Sequence, residues 1–134
     1  MASALYPKFK ELLLGGDIDL MADTIKAALV DSNDVSFNTA HDFLDDVSAG
    51  IVGTPQTLNN KSITNGVFDA DDITFPSVTG DQVEVILLYK DTGNPATSPL
   101  IAWIDTAASG LPVTPNGGNI NVAWSSGANK IFSL

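Results

Sequence analysis

Apolar and polar residues alternate with a period of two over most of this chain, the mark of strands that bury one face. The strongest case is "QVEVILLYKD", residues 82–91. Val83, Val85, Leu87 and Tyr89 fall on one face, and Glu84, Ile86, Leu88 and Lys90 on the other. Its middle is apolar on both faces, which predicts a central strand covered on both sides. "PLIAWID" is expected to pair with it across the loop 92–99. That loop is rich in Gly, Asn, Pro, Thr and Ser, residues that blunt a sheet edge. "GNINVAWSS" also alternates, with Ile120, Val122 and Trp124 on one side and Asn121 and Ala123 on the other. Val85, Leu87, Trp103, Ile120, Val122 and Trp124 are therefore expected in the core. "NKIFSL" adds a last short strand.

Earlier in the chain, "TLNNKSITNGVFDADDITFPSV" holds two extended pieces. Asn65-Gly66 marks a turn between them, because a type I′ turn needs positive φ at both central residues. "TIKAALV" fits helix and strand alike by composition. Ile25, Ala27 and Leu29 alternate with Thr24, Lys26 and Ala28, and turn residues stand close on both sides, so strand is assigned.

Helical spacing occurs in two places. In "PKFKELLLGG", Pro7 suits the first helical position, and Phe9, Leu12 and Leu13 form one apolar stripe before Gly15-Gly16 ends the helix. So short a helix does not stand alone, and its stripe must be covered by its own domain or by a neighbouring chain. In "TAHDFLDDVSAG", Thr39 is the expected N-cap, with Phe43, Leu44 and Val47 at helical spacing before Gly50. Seven or so short strands separated by Gly, Pro and Asn turns then predict a mainly β fold. The expectation is a single-domain, jelly-roll-like β-sandwich over residues 1–134. Residues 1–16 form an N-terminal helix or arm, and a second short helix lies near residues 39–49.

Composition narrows the classes of function. The 134 residues suit one domain, and without cysteine there is no disulfide or thiolate chemistry. Six basic residues against 16 acidic ones give a net charge of −10, which argues against nucleic acid and against an anionic membrane surface. No run of about 18 apolar residues predicts a membrane-spanning helix. Lys8, Lys10 and Glu11 break the apolar content that a secretion signal would need.

Candidate chemistry is sparse. The lone histidine, His41, lies in "NTAHDFLDD" and reads as a capping or surface residue rather than a member of a Ser-His-Asp set. The neighbouring carboxylates Asp45-Asp46 and Asp71-Asp72 read as turns, not as the opposed pair of a glycosidase. "GDID", "DSND" and "DADD" offer oxygen ligands to calcium, but none has the EF-hand spacing. "PNGGNINV" leads into a strand and lacks the lysine and helix of a phosphate cradle. No catalytic residue, cofactor site or metal site is assigned, and no enzymatic activity is expected.

Three stretches together carry a resemblance: "GDIDLMADTIKAALVDS", "VTGDQVEVILLYKDTG" and "GLPVTPNGGNINVAWSSGANKIF". Spaced as they are, they resemble a family of small virion structural proteins of tailed bacteriophages, over almost the whole chain. The chain departs from that pattern at Leu20-Met21, where a tryptophan and a polar residue are expected. The resemblance implies a non-enzymatic subunit of a phage particle, made in the host cytoplasm and located in the virion. Head decoration, or cement, is favoured over tail, neck or fibre, where the alternative is a carbohydrate- or calcium-binding module. The implied partners are the major capsid protein or another virion protein, and copies of the chain itself, with a trimer favoured. The candidate interface is Tyr6, Phe9, Leu12 and Leu13 on the arm, and Thr92, Asn94, Pro95 and Pro99 on the loop. The arm is expected to be separable, so that removing residues 2–14 leaves a folded β domain that no longer binds its particle.

Overall fold

The computed structural model describes residues 3–105 and 111–134. Met1 and Ala2 of the expected arm, and Gly110, where the third resembling stretch begins, lie outside them. Ten strands and one α-helix follow in chain order among the described residues: β1 (Ala4–Leu5), α1 (Pro7–Leu14), β2 (Ile25–Val30), β3 (Ile51–Thr57), β4 (Ser62–Thr64), β5 (Val67–Asp69), β6 (Ile73–Phe75), β7 (Val85–Lys90), β8 (Leu100–Ile104), β9 (Ile120–Val122) and β10 (Phe132–Ser133). They form three antiparallel sheets. The largest has the order β1-β8-β7-β2-β3, the second β10-β5-β4, and the third pairs β6 with β9. The fold is thus mainly β, and none of these sheets closes on itself.

The doubly apolar pattern of residues 82–91 puts β7 at the middle of the five-stranded sheet, with Val85 through Tyr89 all buried. β8 pairs with it in the register Leu87↔Trp103 and Leu88↔Ala102, and β2 in the register Ala28↔Leu87 and Val30↔Val85. Both neighbours are as buried as the centre, Lys26 apart. Leu5, Ala102 and Ile104 share a cavity of about 210 Å³ with Ile131 and Phe132, so the three-stranded sheet leans on that face of the large one. Trp103 faces the other way, toward Phe37, with ring centroids 6.2 Å apart.

Asn65 and Gly66 have φ of 53° and 78°, and Thr64 pairs with Val67. This is the two-residue hairpin expected from their left-handed conformations.

Two expectations are corrected, and one strand is added to them. The stretch 39–50 makes no α-helix. It forms two 3-10 turns, Leu44–Asp46 and Ser48–Gly50, and Thr39 caps neither. The Asp46 carboxylate instead accepts from the backbone N–H of Asp42 at 2.9 Å, so the turn is anchored from inside. Second, Trp124 is only half-buried, because β9 ends at Val122 and the alternation stops before reaching it. Its indole Nε1–H donates to the Asp71 carbonyl at 3.0 Å. The other five expected core residues are buried. The added strand is β3, where Gly53 and Pro55 interrupt the alternation of the pattern. Pro55 is tolerated on an edge strand, where a missing N–H breaks no central ladder. Between Ala27↔Gln56 and Leu29↔Val52 the register shifts, and Gly53 takes φ of 72° within that bulge.

Candidate functional site

The arm is part of the subunit. β1 pairs with β8 as Ala4↔Trp103 and Leu5↔Ala102, and the Tyr6 N–H donates to the Ile101 carbonyl at 3.0 Å. Pro7 then opens α1 at its first position, as expected, and Gly15 ends it by donating to the Glu11 carbonyl at 2.9 Å. Tyr6 and Phe9 have no solvent exposure. The Tyr6 ring lies 4.9 Å from Phe37, and Phe9 meets Phe132 edge-on at 5.8 Å. Leu12 and Leu13 are half-buried against the same core. Tyr6 and Phe9 are therefore corrected from contact residues to core residues: the helix satisfied its stripe on its own domain. What the arm leaves outside is Leu14, at 89% exposure, and beyond the helix Met21 at 49%. Leu20, beside it, is buried.

The loop 92–99 is exposed at Thr92, Asn94 and Pro95, whereas Pro99 is buried and bridges Phe43. Pro99 is corrected accordingly, because its carbonyl and its ring serve the sheet: the Lys90 N–H donates to that carbonyl at 3.0 Å. The loop is braced from within. Thr92 Oγ1 lies 2.6 Å from Thr97 Oγ1, the Ser98 hydroxyl donates to the Asn94 carbonyl at 2.9 Å, and Asn94 Oδ1 accepts from the Ala96 N–H at 3.0 Å. It is also tied to the first 3-10 turn, whose Leu44 and Asp45 N–H groups donate to the Ser98 and Pro95 carbonyls. Loop and turn together make a stiff, polar tip.

Charge is sorted along the large sheet. At the end near this tip, lysines and carboxylates pair: Lys26 with Asp91 at 2.9 Å and Lys90 with Asp23 at 3.1 Å. Lys61 donates to the Asp23 carbonyl. The Gly93 N–H and then the Lys26 ammonium hold the Asp91 carboxyl below its usual range. Burial pulls Asp23 upward, but the Asp19 N–H and Lys90 outweigh it and hold it low. The opposite end, about 17 Å away along a six-residue strand, carries Asp31, Asp34, Asp81, Glu84 and Asp105. Oxygens of Asp31, Asp34 and Asp81 lie within 4.8 Å of one another. Asp31 is buried and its Oδ1 accepts from the Asn33 N–H at 2.8 Å.

His41 is half-buried, and its Nδ1 finds no partner among the described residues. It lies near Asp46, whose carboxyl is held low chiefly by the Asp42 N–H, with His41 contributing.

No protein-family model matches the chain, and no curated protein matches it.

Proposed function

We propose that the chain is a structural protein of a tailed-phage virion, a capsid decoration protein that binds the head shell and stabilises it, acting without catalysis and as a homo-oligomer with a trimer favoured. The three sheets then represent a jelly-roll-like sandwich. One observation supports this reading above others: the three stretches that carry the resemblance adjoin one another in the fold. The first supplies β2 and the second β7, paired from Ile25↔Lys90 to Val30↔Val85. The third joins the second through two hydrogen bonds between Val83 and Val113, at 2.8 and 2.9 Å. Val78 and Gly118 are joined by a third bond at 3.0 Å. The resemblance thus falls on one contiguous scaffold rather than on scattered turns. The contact surface in this reading is the stiff tip carrying Thr92, Asn94 and Pro95, which loses little entropy on docking. Leu12, Leu13 and Leu14 supply its apolar part.

The test is imaging of phage particles assembled with tagged copies of the chain. Copies at many equivalent positions over the head are expected. A single ring at one vertex, or no copies on the particle, overturns the decoration reading. A calcium-binding tail or fibre module is the second reading, favoured by the grouping of Asp31, Asp34 and Asp81. Under the first reading a chelator moves the melting temperature by less than about 2 °C, since no bound ion is then linked to folding. A larger fall favours the second.

A further inference from the structure

The chain holds two Asn-Gly pairs, Asn65-Gly66 and Asn116-Gly117, and both are exposed. Asparagine is chemically labile, and a glycine after it carries no side chain to shield the next backbone nitrogen. Deamidation at such a pair needs that nitrogen free to turn onto the asparagine Cγ. Hydrogen bonding separates the two pairs. The Gly117 N–H donates to the Val78 carbonyl at 2.7 Å, and Asn116 Oδ1 accepts from the Gly118 N–H at 2.9 Å. Nucleophile and amide are both tied there. At the tip of the β4–β5 hairpin, neither the Gly66 N–H nor the Asn65 amide has a hydrogen-bond partner among the described residues. The Gly66 carbonyl, by contrast, is engaged. It accepts from the Leu134 N–H at 3.0 Å, beside the pairs Phe132↔Phe68 and Ser133↔Val67, so the turn holds the end of β10.

We propose that Asn65 is a site of spontaneous deamidation that loosens the C-terminal strand β10, while Asn116 is spared. The Gly66 nitrogen gives its proton to hydroxide and bonds to the Asn65 Cγ. The Cγ–Nδ2 bond breaks, and the nitrogen takes a proton from water and leaves as ammonia. A five-membered succinimide remains. Water then opens the ring. Breaking the bond from the Gly66 nitrogen to Cγ gives aspartate, and breaking its bond to the Asn65 main-chain carbonyl carbon gives isoaspartate. The sum consumes one water, releases one ammonia and changes no oxidation state. Isoaspartate routes the backbone through the former side chain and lengthens it by one carbon. A two-residue turn has no slack for that atom, since its twist and register depend on left-handed φ at both positions. The Thr64↔Val67 pair and the bond from Leu134 to Gly66 are then lost. None of this depends on what the chain binds.

The test ages the full chain in mildly alkaline buffer, folded in one sample and unfolded in concentrated urea in another. Digests taken over time are read by mass spectrometry for the change of amide to acid in each Asn-Gly peptide. In the folded chain Asn65 is expected to react at least about tenfold faster than Asn116, the rate factor of the two hydrogen bonds that the second pair must break. In urea both pairs are free, and the two rates converge. Electron-transfer fragmentation then separates isoaspartate from aspartate at position 65. The isoaspartyl chain is expected to melt below the parent. Freshly prepared Asn65→Asp, which adds the charge without the extra carbon, is expected to keep the parent's melting temperature. Asn116 reacting as fast as Asn65 in the folded chain, or a preference for Asn65 undiminished in urea, overturns the site. An isoaspartyl chain that melts like the parent, or a fresh Asn65→Asp chain that melts as low as the isoaspartyl one, overturns the loosening of β10.

Discussion

Leu87 stands at the middle of β7, between Ala28 on β2 and Trp103 on β8, and none of its side chain reaches solvent. Truncating it leaves a void lined by strands that cannot collapse without breaking their ladders. Leu87→Ala is expected to cost about 2–5 kcal/mol in urea unfolding. A loss below about 1 kcal/mol would show that the sheet repacks there. The carboxylates argue at the same scale. Asp23, Asp46 and Asp91 all hold their protons less tightly in the folded chain than the ordinary value of 3.8. Groups depressed in this way stabilise the fold fully above that ordinary value, and the contribution is lost as pH falls through the lower folded values. The melting temperature is therefore expected to drop as pH goes from about 4 to about 2. Asp91→Asn should flatten part of that slope, and an equally steep slope in the variant would detach it from the Lys26 pair. At the phenols, burial and the nearby Asp91 push Tyr89 up to about 12, so it stays protonated throughout.

At the scale of elements, β1 with α1 and the edge strand β3 decide what the domain tolerates. Removing residues 2–14 takes away β1 and two aromatic residues with no exposure, Tyr6 and Phe9. Each is worth about 3–5 kcal/mol when truncated, against a total near 5–15 kcal/mol for a domain. The deletion is now expected to abolish the cooperative unfolding transition, and a folded, soluble remainder would show the arm to be separable after all. On β3, a Cβ at Gly53 would meet the Val78 methyl at 3.3 Å on a left-handed backbone. Gly53→Ala should cost more than about 1 kcal/mol, read by thermal melting. Sequence made β2, β7, β8 and the Asn65-Gly66 hairpin legible, because each obeys one local rule along its whole length. It could not reveal β3, whose glycine and proline are strand breakers until a bulge and an edge position give them a place. Nor could it show that Tyr6, Phe9 and Pro99 face inward: an apolar stripe states that it must be covered, and only the fold says by what. The pattern does not separate the two Asn-Gly pairs either, since Val78, which ties one of them, lies far away in the chain.

For the whole molecule, the excess of carboxylates is spread over both ends of the large sheet. Two lysine–carboxylate pairs, Lys26 with Asp91 and Lys90 with Asp23, stand at one end of the large sheet, while Asp31, Asp34, Asp81, Glu84 and Asp105 lie at the other. With a net charge of −10 the chain attracts basic partners, and the range of that attraction shrinks to about 8 Å at physiological salt. The order β1-β8-β7-β2-β3 has a further consequence, for the chain while it is being made. The sheet's first strand waits for its partner, since Ala4 pairs with Trp103. A ribosome adding about 5–20 residues per second needs roughly 5–20 s to bridge that gap. During that interval Tyr6 and Phe9 have no core to enter, and β2 has no β7 beside it. The nascent chain must keep these apolar segments apart until its eighth strand emerges, and a chaperone that binds short apolar stretches would find its targets in that window.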